Sequence, residues 1–138
     1  MSYQSVVNII RDTANEVNPT GYFSHGRRSD FTLENDKTFP QIFLLPLSSD
    51  VDLTNSYSEL YSATIMFLDK DNPDSSQDKR EEIIAAMDDL CRSFVNSIYL
   101  ADGFTVGGIR TQPYYRELNQ VGSGYILSFR ILTTTSPC

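Results

Sequence analysis

The sequence has 138 residues, of which 40% are hydrophobic and 21% are charged, and its formal net charge is −7. This length suits a single domain, residues 1–138, whose core is large enough to fold without disulfides or a metal. Sixteen Tyr and Phe residues argue against a disordered chain. Its negative net charge argues against binding to the phosphates of nucleic acid, because such binding needs clustered Lys and Arg. No apolar run is long enough for a membrane span, and the start at Met1–Gln4 predicts no secretion signal.

The first part of the chain is predicted to contain one short helix and one edge strand. Apolar residues in 3–17 lie three and four positions apart, as on one side of a helix. The helix is expected to end at Asn18, because a residue before proline avoids the helical conformation. Residues 20–24 suit a short edge strand. The polar segment 24–36 fits either a ragged hairpin or a long loop, and both interpretations stay open.

Two stronger strands are predicted in the middle of the chain. Residues 39–47 form a nearly continuous apolar run with a proline near each end, which is typical of a strand covered on both faces. The polar residues 48–56 are predicted to form a loop. Apolar side chains then alternate over 57–69, which predicts a long strand whose first residues lie outside the core.

The clearest pattern is a long helix over residues 78–98. Its apolar positions from Ile83 to Ile98 follow steps of one and three residues, which trace one stripe of a helix. Ser75 or Ser76 can cap its start. A helix of about 23 residues is roughly 35 Å long, so we expect it to cross the whole domain.

The last part of the chain predicts an antiparallel hairpin. Its strands are residues 104–117 and 124–134, the turn lies at 119–124, and Gly107-Gly108 indicates a bulge. The predicted fold class is therefore α+β. It has an antiparallel or mixed sheet of four to five strands, a long helix across one face and a short N-terminal helix.

No residue set predicts catalysis, a cofactor or a metal. His25 is the only histidine, and we interpret it as a solvated loop residue in preference to a general base. One histidine without paired cysteines does not make a usual zinc site. The segment that begins at Asp69 starts like a calcium loop but lacks its glycine and its final glutamate. Cys91 is interpreted as a small buried side chain and Cys138 as a loose terminal thiol. We therefore expect a protein that is not an enzyme.

Acidic residues are concentrated in one part of the sequence. Eight of the eighteen Asp and Glu residues lie between positions 69 and 89, against three basic residues there. They suit either the solvated back of the long helix or a negative surface that faces a channel or a basic partner. The predicted acidic face consists of Asp69, Asp71, Asp74, Asp78, Glu81, Glu82, Asp88 and Asp89.

The segments Ser62–Asp69, Asp74–Met87 and Leu90–Phe94 resemble small tail-completion and tail-terminator-type proteins of tailed bacteriophages. The resemblance covers most of the chain in element order: helix, strands, polar turn, long helix and closing hairpin. It implies a non-catalytic virion protein, made in the host cytoplasm, that forms a six- or twelve-fold ring in the neck or tail. The implied partners are a portal-side adaptor or the tail tube. DNA would pass through the ring without being specifically bound, and no membrane is involved.

Three loop segments are predicted to carry the contacts, namely 24–36, 48–56 and 112–123, because long loops on a domain usually carry function. The residues predicted to contribute are His25, Arg27, Arg28, Tyr57, Tyr61, Tyr114, Tyr115 and Arg116. Two alternatives remain: a protein–protein adaptor outside any virion, and an enzyme that uses carboxylate chemistry around His25 and Asp30.

Overall fold

A computed structural model describes residues 2–26, 38–52, 57–71, 76–101, 104–115 and 122–135. These ranges contain two helices and six strands. In chain order they are α1 (Tyr3–Val17), β1 (Tyr22–His25), β2 (Gln41–Leu44), β3 (Ser48–Asp52), β4 (Tyr57–Lys70), α2 (Gln77–Tyr99), β5 (Thr105–Tyr114) and β6 (Gly122–Thr135). The α+β class and both helices are confirmed. The prediction of four to five strands was one too low, because the sheet has six.

The six strands form one mixed sheet, in which five follow the order β1-β2-β4-β6-β5 and β3 also pairs with β4. β1 pairs with β2 in parallel, and every other pair is antiparallel. β4 and β6 pair along their whole length, from Tyr57 opposite Thr135 to Lys70 opposite Gly122. This long central pair fixes the face to which each neighbouring side chain belongs, since directly opposed residues share a face.

The sixth strand is β3, within the segment 48–56 that was predicted to be a loop. It pairs with the first part of β4, from Ser48 opposite Ser62 to Asp52 opposite Ser58. Its sequence, Ser-Ser-Asp-Val-Asp, has no apolar alternation. The strand therefore forms through backbone pairing with a partner that is distant in sequence, and side-chain pattern does not reveal it.

Both helices pack on one face of the sheet. In β4 the odd-numbered residues face the helices, and Phe67 contacts Phe94 of α2 with ring centroids 5.6 Å apart. The edge-on arrangement of these rings is a favourable one. Six of the eight positions in the predicted stripe of α2 are buried, and Leu90 and Val95 are half-buried. The buried ones are Ile83, Ile84, Met87, Cys91, Phe94 and Ile98. On the opposite face, Phe43, Met66, Leu68 and Tyr114 form a second, smaller cluster.

Each helix is capped at its N-terminus by a serine. The Ser2 hydroxyl accepts a hydrogen bond from the Ser5 N–H, and the Ser76 hydroxyl accepts one from the Lys79 N–H at 3.2 Å. Each satisfies a backbone donor that has no partner within its own helix.

The predicted closing hairpin is confirmed as β5 and β6. The register shifts between Gly107 and Arg110, and Gly108 has a φ of 62°, which confirms the bulge. Glycine is also needed at Gly124, where a Cβ atom would overlap the carbonyl oxygen of Phe67. Of the predicted turn at 119–124, residues 119–121 lie outside the described residues, and residues 122–124 belong to β6 and not to a turn.

Candidate functional site

The solvent-facing side of α2 is acidic. Asp78, Glu81, Glu82 and Asp89 are exposed, and the Asp88 side chain is one-quarter exposed. Their spacings of three, four and seven residues place them on one side of the helix, opposite the buried stripe. Arg92 shares this side, and its Nε donates to both carboxylate oxygens of Asp88 at 3.2 Å. We call these five carboxylates the acidic face.

Asp71 lies inside the protein, so it does not belong to the exposed surface on which it was predicted. Its side chain is fully buried, and its Oδ2 accepts hydrogen bonds from Arg80 Nε and Ser123 Oγ, both at 2.7 Å. A buried carboxylate needs such partners because it has lost its hydration. Asp71 therefore ties the end of β4 to the start of α2 and to β6. Asp69 is half-buried and accepts from the Lys70 N–H, and Asp74 lies outside the described residues.

The predicted tyrosines have different environments. Tyr61 is buried in the core and its hydroxyl donates to Glu59 at 2.6 Å. Tyr114 is buried in the cluster on the other face. Tyr115 is 48% exposed, and its hydroxyl donates to Glu81 at 3.1 Å. This hydrogen bond and the charge of Glu81 raise the pKa of Tyr115 above its usual 10. Among these three, Tyr115 alone has the exposure that an interface residue needs.

Four of the other predicted interface positions are not open to a structural description. Arg27, Arg28 and Arg116 lie outside the described residues. Tyr57 begins β4, opposite Thr135, but its side chain is not among those described. Their roles stay predictions.

His25 is the last residue of β1 and not a loop residue as predicted. Its Nδ1 lies 2.9 Å from the Leu44 carbonyl oxygen, so Nδ1 carries the proton and donates it. In the neutral ring, Nε2 then accepts from the Tyr3 hydroxyl at 3.3 Å, and that hydroxyl accepts from the Leu47 N–H at 3.4 Å. Both ring nitrogens thus hold β1, β2 and α1 together. The arrangement is that of a structural histidine.

A groove of about 340 Å³ lies between α2 and β5. Asp88, Arg92 and Val95 line its helix side, and Ile109 and Thr111 line its strand side. Cys91 also lines the groove but has no exposed surface, and burial, helped by the negative charge of Asp88, raises its pKa to about 12. The thiol is therefore protonated at neutral pH and is not a nucleophile. The groove offers an apolar patch beside an ion pair and no reactive group.

Two arginines that the sequence reading did not single out lie on the face of the sheet opposite the helices. Arg130 is opposite Gly107 and Arg110 is opposite Ser128, so both side chains project from that face. Both are exposed, and neither forms an ion pair with any residue in the described part of the chain. The bulge signal at Gly107-Gly108 could have indicated this, since a bulge changes which residues share a face. The sheet face opposite the helices is therefore basic where β5 pairs with β6.

No described group of three or more His, Cys, Asp or Glu side chains comes together as a metal site. No helix within the described ranges is long and apolar enough to cross a membrane. Comparison with protein-family models finds none that matches this chain. Comparison with curated proteins also finds no match.

Proposed function

We propose that this chain is a structural protein of a tailed-bacteriophage virion, and that its copies form a ring in the neck or tail through which DNA passes. The class comes from the resemblance in element order. The observation that carries the role is the acidic face, which gathers five carboxylates on the solvent side of a helix of 23 residues. A helix of that length reaches roughly 35 Å, which is the scale of the whole domain.

An acidic lining suits a passage for DNA. Double-stranded DNA carries about one negative charge per 1.7 Å of its axis, so a lining of the same sign disfavours adhesion. In a ring of six or twelve copies the acidic faces repeat around the lumen, and their potentials add. DNA would then move through without being held.

The opposite side of the sheet carries the complementary charge. Arg110 and Arg130 project from the face that the helices do not cover. Since the acidic face lines the lumen, this side of the sheet points away from the lumen, where its charge suits contact with an acidic surface of another virion protein. This basic face is available to a portal-side adaptor or the tail tube.

Charge reversal on the acidic face tests the DNA passage. We expect rings of the Glu82→Lys/Asp89→Lys variant to retain short double-stranded DNA at low salt, whereas wild-type rings release it. A Glu82→Asp/Asp89→Glu variant serves as the control, because it changes the same two positions without changing their charge. Rings of the charge-reversed variant that release DNA as fast as wild type would contradict the assignment of α2 to the lumen.

The groove between α2 and β5 favours a second candidate, a protein–protein adaptor outside any virion. It places exposed Ile109 beside the Asp88–Arg92 ion pair, and an apolar patch with a charged rim is common in interfaces. The two candidates differ in their genetic surroundings. Genes for a portal, tail tube or sheath next to this one favour the virion protein, and their absence favours the adaptor.

A further inference from the structure

The side of α2 that borders the groove carries a second pattern, separate from the buried stripe. Six residues follow one another at steps of four, three, four, three and four positions. This heptad spacing keeps them on one side of a helix and is the spacing by which two helices pack along each other. We call these residues the α2 seam: Glu81, Ala85, Asp88, Arg92, Val95 and Tyr99.

Much of the α2 seam is exposed. Tyr99 is 68% exposed and the Arg92 side chain 75% exposed. Glu81 and Ala85 are also exposed, and Val95 is half-buried. An exposed tyrosine beside a half-buried valine, on a helix that already buries another stripe, indicates a surface with room for a partner.

The α2 seam is complementary to itself when two copies run antiparallel. A two-fold axis that crosses the seam midway between Asp88 and Arg92 places Asp88 opposite Arg92 of a second copy, and Arg92 opposite its Asp88. The same axis places Ala85 opposite Val95, a small residue against a larger apolar one. It also places Glu81 opposite Tyr99, so a tyrosine hydroxyl can donate to the carboxylate as Tyr115 already does.

Other arrangements lack this match. A parallel pair brings Asp88 against Asp88 and Arg92 against Arg92, and like charges in contact are unfavourable. Shifting the antiparallel pair by one heptad in one direction sets Arg92 against Val95 and Asp88 against Tyr99, so both charges lose their partners. The shift in the other direction pairs Arg92 with Glu81, but it sets Asp88 against Ala85 and Val95 against Asp78. Polar residues within a helix seam select register in this way.

We propose that the free subunit pairs with a second copy of itself through the α2 seam, as an antiparallel two-fold dimer. The pairing covers the groove and removes Val95, Ile109 and Tyr99 from water. It does not depend on the virion role. Glu81 and Asp88 belong to both the α2 seam and the acidic face, so this dimer is a form of the free subunit that separates before the acidic face lines a ring.

Charge exchange within the α2 seam tests the proposal by sedimentation velocity over about 10 µM to 1 mM, a range that detects weak dimers. Wild-type protein is expected to form a species of twice the chain mass. Asp88→Arg alone and Arg92→Asp alone set like charges against each other and are expected to weaken the dimer roughly tenfold or more. The double exchange Asp88→Arg/Arg92→Asp restores opposite charges and is expected to recover the dimer.

Asp89→Arg is the matched control, since it reverses a charge on the same helix beside the seam. Circular dichroism checks that each variant is folded. A wild-type protein that stays monomeric throughout, or single exchanges that dimerise as well as wild type, would overturn the proposal.

Disulfide trapping checks the register independently. In a Cys138→Ser background, Ala85→Cys with Val95→Cys is expected to give a covalent dimer on mild oxidation, whereas Ala86→Cys with Val95→Cys is not. Equal trapping in both would also overturn the proposed register. Dimers without rings in any condition would count against the virion role, and rings without a free dimer would count against the α2 seam.

Discussion

The buried carboxylate of Asp71 makes a strong prediction about stability. It has no exposed surface, and it accepts two hydrogen bonds at 2.7 Å, from Arg80 and Ser123. Replacing it by asparagine keeps the size of the side chain but removes the charge that both donors face. The substitution Asp71→Asn should therefore weaken the junction of β4, α2 and β6 without creating a large cavity.

The size of the effect follows from how far each partner is buried. Breaking a buried ion pair costs about 3–5 kcal/mol, because the remaining charge is left without a partner. The Arg80 side chain keeps 21% of its surface in water, so part of its hydration is recovered. We expect Asp71→Asn to lower the free energy of unfolding by about 2–3 kcal/mol. For a chain of this length that corresponds to a fall in Tm of about 6–12 °C.

Urea unfolding followed by circular dichroism measures this loss. Asp78→Asn is the matched control, since Asp78 is an exposed acid in the first turn of α2, the helix that carries Arg80. This substitution should lower the free energy of unfolding by only about 0.5 kcal/mol. A double-mutant cycle with Arg80→Met should give a coupling energy of about 1–3 kcal/mol between Asp71 and Arg80. An Asp71→Asn variant as stable as Asp78→Asn would refute this reasoning.

Three further predictions concern packing, thiol reactivity and titration. Gly124→Ala should destabilise the fold by about 1–3 kcal/mol or more in urea unfolding, because its Cβ has no space, whereas Gly107→Ala, with no atom within 4 Å of the added Cβ, should have little effect. Cys91 should resist a thiol reagent at pH 8 in the native protein and react fully once the protein is unfolded, since its pKa is raised to about 12. Glu81→Gln should lower the pKa of Tyr115 toward 10, as followed by the NMR shift of its ring, because the raised pKa arises mainly from Glu81.

Each of these predictions has a result that contradicts it. Equal stability of the two alanine variants would mean that β6 is not held against β4 as described. The thiol test uses a Cys138→Ser background, and native reaction at the rate of an exposed thiol would show that Cys91 is accessible. An unchanged pKa of Tyr115 in the Glu81→Gln variant would show that Tyr115, directly after β5, does not contact Glu81 of α2.

The long helix and the closing hairpin could be predicted because their signals are local. The stripe from Ile83 to Ile98 repeats at the helical period, and Ser76 supplies a cap, so α2 was placed within one residue at each end. The bulge at Gly107-Gly108 was predicted for a similar reason, since glycine in a strand has a conformational meaning of its own.

The parts that were missed depend on contacts between distant residues. β3 forms through its pairing with β4 and has no apolar pattern. Asp71 is buried where it accepts a hydrogen bond from Ser123, which is 52 positions away in the sequence. Nothing in the local sequence distinguishes Asp71 from the exposed acids. His25 appeared to be a loop residue because the bonds that hold it come from Leu44 and Tyr3. Burial of a polar residue is a property of the assembled fold.

The acidic face itself was predicted in part. The concentration of acids between positions 69 and 89 is visible in the sequence, but only the structure separates those on the outside of α2 from Asp71 inside. The self-complementary order of residues in the α2 seam is also visible in the sequence. It becomes interpretable once the buried stripe has been located, because the seam is the second pattern on the same helix.

Electron microscopy of the protein, alone and mixed with the portal-side adaptor and tail-tube subunits, tests the ring most directly. The account predicts closed rings of six or twelve chains with a central opening lined by the acidic face of α2. Particles no larger than one or two chains in every mixture and at every concentration would contradict it.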